Sequence, residues 1–284
     1  LHSFPTRRSS DLVATAFLSG NKTERTVHVR APPEGLPEVE GMSKIRPHEL
    51  LRVIKGAYGL AEAPRLWYLR ASELLEKANM QELKFCRSTY VLLNQSGAVV
   101  AVCCMHVDDG FIAGDHGDPE FQRLLKAIDA DFNIKEWQKL GKRPVSYLGM
   151  TVTYDDERGI IIDDMTEYIN KIQSAEIKGI KMEEKLSEND VTRYRRLVMQ
   201  MRWPAQHVVP ELMSTISLLA QRTTRATYAD LKKANSVLEQ MKLIAGNGQA
   251  KITYHRIPDD PMFITFFDAS LGKSTMQSAQ LGEI

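Results

Sequence analysis

Two adjacent carboxylates, Asp108 and Asp109, are the residues of this chain that most directly suggest chemistry. They follow an apolar run in AVVAVCCMHVDDGFIAG (residues 98–114), and a second apolar run begins at Phe111. Neighbouring carboxylates repel each other, so keeping both ionised costs free energy unless a cation neutralises them. Mg²⁺ suits this role because it binds carboxylate oxygens while keeping waters or phosphate oxygens. Asp-Asp-Gly is also typical of an ordinary turn, so the pattern alone leaves both interpretations open.

The residues around this pair predict a β-hairpin that would position it. The first apolar run ends near His106, breaks at the two aspartates, turns at Gly110 and resumes as a second strand. Runs rich in Val and Ile that are joined by Asp-Gly are typical of such hairpins. The neighbouring predicted elements are a hairpin of strands 89–93 and 98–105, a helix from Pro64 to about Met80, and an amphipathic helix marked by Phe121, Leu124, Leu125, Ile128 and Phe132.

The composition is that of a globular chain without a strong charge bias. Its 284 residues suffice for one large domain or two ordinary ones, and 43% of them are hydrophobic. A net charge of +1 means that any nucleic-acid-binding surface must be a local patch. Its three cysteines lack metal-ligand spacing, and the adjacent pair Cys103-Cys104 lies inside an apolar run, which favours buried thiols in a reducing compartment. Since no signal peptide or membrane-length apolar run is present, we expect an intracellular protein that is neither secreted nor bound to a membrane.

The first twelve residues, LHSFPTRRSSDL, differ from the rest of the chain. They show no helical or strand periodicity, and they resemble the translation of a sequencing-library adapter. Such processing artefacts are excluded from fold reasoning. We therefore expect residues 1–12 to be disordered and the native sequence to begin at Val13.

The second half of the chain is predicted to be rich in helices. A hairpin of strands 145–154 and 159–162 comes first, and the acidic tip between them is interpreted as a solvated turn. The later elements are helices at 191–201, 210–221 and 227–245, the last with a Thr227–Asp230 capping pair, followed by strands at 251–257 and 262–267. This order predicts an α+β fold with a truncated end.

Several segments together resemble the reverse transcriptase of copia-type LTR retrotransposons. Residues 13–20 (VATAFLSG) resemble the family's first polymerase motif, and residues 57–68 (AYGLAEAPRLWY) resemble its Tyr-Gly-Leu-x-Gln-Ala-Pro-Arg-x-Trp block. Residues 105–114 (MHVDDGFIAG) resemble its Tyr-Val-Asp-Asp signature. The remaining matches are YLGM (147–150) with the Leu-Gly turn that grips the primer, Tyr194-Arg195 with the start of the later helices, and Phe267-Asp268-Ala269 with the entry to RNase H.

The resemblance implies a right-hand polymerase palm with partial fingers at 13–177 and a helical thumb or connection at 178–250. It also implies the first strands of a truncated RNase H-like domain at 251–284. The implied activity is RNA-directed DNA synthesis by two-metal nucleotidyl transfer, with Mg²⁺ or, in its place, Mn²⁺ as the cofactor. The implied partners are an RNA or DNA template-primer, dNTPs and the rest of a pol polyprotein, including integrase and RNase H.

The resemblance also assigns roles to individual residues. Asp108 and Asp109 are the implied catalytic, metal-binding residues. Phe17 is the implied steric gate against a ribonucleotide 2′-hydroxyl, and a core aromatic is the alternative. The other implied substrate-binding residues are Tyr58, Gly59, Arg65 and His106, with Pro64 in the same floor. The implied nucleic-acid-binding residues are Lys55, Tyr147, Leu148, Gly149 and Arg195, to which Arg193, Arg196 and Arg202 add a basic cluster that either follows the duplex or is simply solvated.

Four departures from the family pattern bear on activity. The first catalytic Asp is expected at position 12, which is Leu12, and Asp11 is one residue away, on the opposite face of a strand. His106 replaces the usual Tyr, and Glu62 replaces the usual Gln and adds a negative charge near the substrate. Of the RNase H carboxylates, the chain contains only Asp268. We therefore predict an inactive polymerase fragment.

Two further hypotheses remain open at this point. One is a non-catalytic nucleic-acid-binding remnant of a retroelement, which would bind a duplex in a salt-dependent way without polymerisation. The other is an unrelated palm-like nucleotide enzyme, such as a cyclase, that also carries paired aspartates on a hairpin. The 58–67 block and the later helices argue against the cyclase.

Overall fold

The computed structural model describes residues 6–9, 15–38, 43–132, 134, 137–141, 143–155, 157–177, 181–257, 269–270 and 280–281. These residues belong to two compact units, Leu1–Leu140 and Gly141–Ile284. Both units contain helices and strands, so the predicted α+β class is confirmed. Among the described helices, none combines the length and the apolar composition needed to cross a membrane.

The first unit is built on an antiparallel sheet with the strand order β4-β5-β6-β7-β1-β8. A separate two-stranded ribbon consists of β2 and β3. The elements of this unit are β1 (Thr6–Ser9), α1 (Ala16–Ser19), β2 (Lys22–Arg30), β3 (Leu50–Lys55), α2 (Ala63–Lys77), β4 (Gln81–Leu83), β5 (Cys86–Leu93), β6 (Val99–His106), β7 (Asp109–Gly114), α3 (Pro119–Phe132) and β8 (Gln138–Lys139). The two predicted hairpins of this region, β5–β6 and β6–β7, are confirmed.

The core of the first unit forms where α2 and α3 pack with the sheet. All five apolar positions that mark α3 in the sequence are buried, and α2 buries Trp67 and Leu75. Gly114 is required for this packing, because a Cβ there would lie 2.4 Å from the ring of Phe121. Burial also raises the pKa of the Cys103 thiol to about 12, so the predicted burial holds for Cys103, whereas the neighbouring Cys104 is only partly buried.

The start of the chain differs from the expectation of disorder over residues 1–12. Thr6–Ser9 forms β1, which pairs with β7 on one side and with β8 on the other. The physical reason is that β7 would otherwise present an unpaired backbone edge, and ladder hydrogen bonds can be made by almost any sequence. Asp11 and Leu12 lie outside the described residues.

The second unit combines a four-stranded sheet, in the order β12-β11-β10-β9, with a group of helices. Its elements are β9 (Val145–Tyr147), β10 (Met150–Asp155), β11 (Ile160–Asp164), α4 (Thr166–Lys171), α5 (Glu188–His207), a 3₁₀ turn (Pro210–Leu212), α6 (Met213–Gln221), α7 (Tyr228–Gly246), β12 (Lys251–Tyr254), β13 (Ala269–Ser270) and β14 (Gln280–Leu281). The predicted capping box of α7 is confirmed, with the Thr227 side chain and the Asp230 side chain each bonded to the other residue's backbone N–H.

The boundary between the units differs from the one expected after residue 177. It lies between Leu140 and Gly141, because β10 pairs with β9 and β11, and β11 pairs with β12. β12 was expected to begin a separate RNase H-like domain, but its pairing with β11 places it in the sheet of the second unit. The predicted strand at 262–267 and Asp268 lie outside the described residues.

Candidate functional site

The β6–β7 hairpin holds the paired carboxylates at its tip. His106 pairs with Asp109 across the hairpin, so the connecting loop contains just two residues, Val107 and Asp108. Asp108 therefore lies in the loop, and Asp109 is the first residue of β7. Both aspartates are half-buried, while His106 is exposed. His106, Asp108 and Asp109 thus lie together at one hairpin tip, and their role in binding substrate or metal stays a prediction.

The position of the turn within this hairpin differs from the prediction. Gly110 was expected to make the turn, but it lies in β7 opposite Met105. Burial explains the register, because Gly110, Ile112 and Gly114 are the alternating buried positions of β7. A shift of one residue would direct Ile112 away from the core, so core packing overrides the local turn preference.

Val107 has an unusual backbone conformation. Its φ is +55°, in the left-handed region that β-branched residues rarely adopt, and such strain costs about 1–3 kcal/mol. The indole Nε1–H of Trp67 donates a hydrogen bond of 2.6 Å to the carbonyl oxygen of Val107. Trp67 is 3% exposed and packs edge-to-face with Phe132 at 6.1 Å between ring centroids. A buried, well-packed side chain of α2 thus contacts the strained turn.

The donor set at the tip consists of two carboxylates on successive residues. Among the residues that the structure describes, no group of three or more His, Cys, Asp or Glu side chains could hold a metal ion. The position at which the family resemblance implies a third carboxylate is occupied by Leu12. Two half-exposed carboxylates can supply part of the ligand set of a hard cation, with several waters supplying the rest.

Phe17 and Tyr58 form an aromatic pair in the same unit. Their rings meet edge-to-face with centroids 4.9 Å apart, and Tyr58 is 67% exposed. Glycines lie on both sides of Tyr58: a Cβ at Gly56 would lie 3.1 Å from the carbonyl oxygen of Phe17, and Gly59 has a φ of +92°. The structure therefore brings together two of the predicted substrate-binding residues.

The charged residues near this pair have different surroundings. Glu62, which departs from the family pattern, accepts a hydrogen bond from the Thr23 hydroxyl and lies 3.9 Å from the Arg25 guanidinium. Its added negative charge is thus partly balanced. Lys55 at the end of β3 and Arg65 in the first turn of α2 are both exposed, as residues that contact phosphate would be.

The predicted primer-gripping turn forms the β9–β10 hairpin of the second unit. Leu148 and Gly149 make a two-residue turn with φ values of +47° and +80°, directly after Tyr147. The Trp203 indole N–H donates a 3.0 Å hydrogen bond to the Leu148 carbonyl oxygen. A Cβ at Gly149 would lie 3.0 Å from the ring of Tyr168, so glycine is favoured there by space as well as by conformation.

The predicted arginine cluster lies on α5 of the second unit. Arg193, Arg195 and Arg196 are exposed, and Arg193 forms a 3.4 Å ion pair with Asp190. An open cleft of about 280 Å³ is lined by Lys171, Arg193 and Arg196 among other residues of this unit. Arg202 is half-buried. The cluster is thus a set of accessible cations, partly offset by acidic neighbours.

Two of the three tryptophans, Trp67 and Trp203, donate hydrogen bonds to turn carbonyls that the sequence did not predict. Trp67 lies in the predicted helix from Pro64 to about Met80 and is buried, and its indole N–H donates to the Val107 carbonyl. The available signal was chemical, because a buried indole N–H nearly always finds an acceptor. Phe17 and Met105 also pack against the core cluster that contains Trp67.

Comparison with known proteins identifies similar sequences. Residues 10–184 match a family described as reverse transcriptase (RNA-dependent DNA polymerase). The putative transposon Ty5-1 protein of Saccharomyces cerevisiae is 24% identical over 249 residues, which are 81% of this chain and 74% of that protein. The retrovirus-related Pol polyproteins from transposons RE2 and RE1 of Arabidopsis thaliana are each 30% identical, over 128 and 129 residues. Those matches cover 45% of this chain but only 8% of either polyprotein.

Proposed function

This chain belongs to the reverse transcriptase family, and on that premise we propose that it is part of an RNA-directed DNA polymerase whose metal-binding carboxylates include Asp108 and Asp109. The observation that carries the proposal is the tip of the β6–β7 hairpin. There, two half-buried carboxylates occupy successive residues next to a turn that a buried tryptophan contacts. The similarity to copia-type Pol proteins supports a retrotransposon polyprotein as the context.

The two aspartates fit a hard divalent cation such as Mg²⁺. Their oxygens are the ligands that Mg²⁺ prefers, and their partial exposure leaves coordination positions for water or phosphate. When bound, a pair of such ions stabilises the attacking and leaving oxygens of nucleotidyl transfer. Asp108 and Asp109 would hold and orient these ions, and the rigid strands behind them would keep the carboxylates in place.

Phe17 and Tyr58 fit the part of the site that selects the sugar. In this proposal the Phe17 ring occupies the space that a ribonucleotide 2′-hydroxyl would need. The edge-to-face contact with Tyr58 holds the Phe17 ring in one orientation. Arg65 and Lys55, both exposed, supply cations for phosphate groups of the substrate or template.

The chain is proposed to be inactive because Leu12 cannot ligate a metal ion. A primer-extension assay with Mg²⁺ and a homopolymer template tests this. We expect no extension by the chain itself, extension after Leu12→Asp, and loss of that extension when Asp108→Asn is added. If the original chain extends the primer and Asp108→Asn abolishes that extension, the proposed inactivity is wrong. The same result would support Asp108 as a catalytic residue.

A matched control is available at another hairpin tip. Asp155 is the last residue of β10, and its carboxylate accepts backbone N–H bonds from Glu157 and Arg158 within the turn that follows. Asp155→Asn keeps an acceptor at that position and removes one negative charge. In the Leu12→Asp chain we expect this substitution to leave extension unchanged, so that loss of activity reports on the β6–β7 tip specifically.

A second candidate function is nucleic-acid binding without synthesis. The exposed arginines of α5 and the cleft beside them favour it. Each phosphate contact to duplex DNA contributes about −0.9 to the slope of log affinity against log salt concentration. A steep salt dependence of duplex affinity, without primer extension even after Leu12→Asp, would favour this function over the polymerase.

The finer architecture and setting belong to the same proposal. We assign the palm with partial fingers mainly to the first unit, and the thumb or connection to the helices α5–α7. The proposed partners are an RNA or DNA template-primer, dNTPs and the remainder of a Pol polyprotein. The proposed setting is intracellular, in a cytoplasmic particle or the nucleus.

A further inference from the structure

The contact between Trp67 and the Val107 carbonyl links α2 to the residue that immediately precedes the first aspartate. We propose that Trp67 is a positioning residue of the polymerase site, whose indole N–H fixes the peptide plane between Val107 and Asp108. The proposal rests on the proposed function, since it concerns the same pair of carboxylates. The single indole N–H of Trp67 is bonded to the Val107 carbonyl, so Trp67 acts through the backbone.

Peptide geometry explains how one hydrogen bond can orient a side chain. The carbonyl of Val107 and the N and Cα of Asp108 lie in one rigid plane. A donor that fixes the carbonyl direction therefore limits the rotation of that plane about the chain. The direction in which the Asp108 side chain leaves its Cα follows from the same rotation. At 2.6 Å, the Trp67 bond lies at the short end of the range for N–H donors.

The position of the donor is itself well fixed. Trp67 is buried, and its ring packs edge-to-face on Phe132 of α3. Its backbone lies so close to the end of α1 that a Cβ at Gly20 would come within 3.1 Å of the Trp67 nitrogen. α1 also carries Phe17, so one region of α2 contacts both the carboxylate turn and the helix of the proposed sugar-selecting residue.

The acceptor needs such support because Val107 is in a conformation that its side chain disfavours. A β-branched residue with a φ of +55° tends to relax toward negative φ. Relaxation would rotate the carbonyl away from Trp67 and turn the Asp108 side chain with it. The hydrogen bond and the strained turn thus oppose each other, which is the arrangement expected where a side chain is held in a functional direction.

A spectroscopic test separates positioning from general packing. Trp67→Phe keeps an aromatic ring and removes the indole N–H. Trp137→Phe is the matched control, because Trp137 packs on the same core cluster and its indole N–H donates to Asp129 instead. We expect Trp67→Phe to shift the backbone amide resonances of Asp108 and Asp109 and to weaken their response to Mg²⁺ titration at least threefold, and Trp137→Phe to do neither. Equal behaviour of the two variants would overturn the proposal.

A kinetic test applies in the Leu12→Asp chain. A displacement of about 1 Å can cost about a hundredfold in rate, so we expect Trp67→Phe to lower kcat about tenfold to a hundredfold. KM for dNTP should change less than about threefold, because the substrate-binding residues remain. An equal loss of kcat in the Trp137→Phe chain would overturn the positioning role. If the Leu12→Asp chain itself fails to extend a primer, the proposed function fails, and the amide resonances still decide the role of Trp67.

A measurement on the unsubstituted chain covers the case in which Trp67→Phe does not fold. The chain has three tryptophans, so its indole N–H resonances can be assigned from the single variants of Trp137 and Trp203. We expect the Trp67 indole N–H to exchange with solvent at least tenfold more slowly than that of Trp137. Exchange at a similar rate would show that the bond to Val107 is not maintained and would overturn the proposal.

Discussion

The two-residue turns of the β6–β7 and β9–β10 hairpins, one in each unit, are built alike but differ at their second residue. In both, the first residue has a positive φ, +55° at Val107 and +47° at Leu148, and its carbonyl accepts an indole N–H. The second residue is Gly149 in one turn, with a φ of +80°, and Asp108 in the other, where φ is not positive. The β9–β10 turn therefore has the residues usual for its type of hairpin turn, whereas the β6–β7 turn does not.

The residue preference that is not followed is the one for the first position of the β6–β7 turn. A turn with one positive φ, at its first residue, normally places Gly there, but the β6–β7 turn has a β-branched valine. The strained residue, Val107, directly precedes the two carboxylates. It is contacted by Trp67, which is more deeply buried than Trp203. Strained backbone of this kind persists where surrounding packing enforces it, and the following predictions measure how far the two turns differ.

The largest expected difference concerns the two tryptophans. Trp67→Phe should lower the free energy of unfolding of the first unit by about 2–3 kcal/mol, because it removes buried volume and a hydrogen bond. Trp203→Phe should cost the second unit about 1 kcal/mol, because Trp203 is only partly buried. Native-state hydrogen exchange of β6 and β10 amides reports on the two units separately. Equal costs would mean that the β6–β7 turn receives no special support.

The next effect concerns the second residue of each turn. Gly149→Ala should lower stability by about 1–2 kcal/mol, since its φ is +80° and the new Cβ would meet the Tyr168 ring at 3.0 Å. Asp108→Ala should change stability by less than about 0.5 kcal/mol, because its backbone conformation suits any residue. Denaturant unfolding of both variants checks this. A large loss in Asp108→Ala would show that its side chain supports the turn.

A smaller effect of opposite sign is expected at the first residue. Val107→Gly should raise stability by about 0.5–1 kcal/mol, because relief of strain exceeds the added entropy of the unfolded chain. Leu148→Gly should be close to neutral, since Leu is not β-branched and tolerates the left-handed region better. Thermal unfolding of the pair is the measurement. Destabilisation by Val107→Gly would mean that the valine is not strained in this turn.

The smallest expected effect is a pH dependence confined to the second unit. Burial lowers the pKa of His207, whose ring contacts Trp203 at 4.1 Å, while the charge of Asp163 acts in the opposite direction. A folded-state pKa below the unfolded value means that the unfolded chain binds the proton more readily. Stability of this unit should thus fall as the pH drops below about 6.5 toward the folded-state pKa.

His207→Gln is the variant that checks the origin of this dependence. It should remove the pH dependence near the Trp203 turn, as followed by the exchange of β10 amides at several pH values. Over the same pH range, titration of His207 should not change the exchange of amides in the β6–β7 turn. A slope that persists in His207→Gln would assign the titration to another group.

Periodic features of this chain were predictable from sequence because they depend on local physics. The apolar stripe of α3, the capping box of Thr227 and Asp230, and the β6–β7 hairpin itself all follow from spacing and residue type. The motif order likewise indicated the family that the comparison shows.

Features that depend on distant packing were not predictable in this way. The turn lies at Val107–Asp108 because the core requires Ile112 to face inward, and that demand is invisible in the local sequence. The strand at Thr6–Ser9 exists because β7 offers it a free edge. The bond from Trp67 to Val107 joins residues forty positions apart, so only the fold reveals it.

The pairing of β11 with β12 has a consequence for how the second unit assembles. Ile161 lies opposite Tyr254, about ninety residues later in the chain, with α4–α7 between them. Contacts of such long sequence separation slow folding. During synthesis, β11 would expose an open backbone edge until the ribosome has released the β12 segment. A nascent chain that stalls within α7 would be at the stage most prone to intermolecular strand pairing.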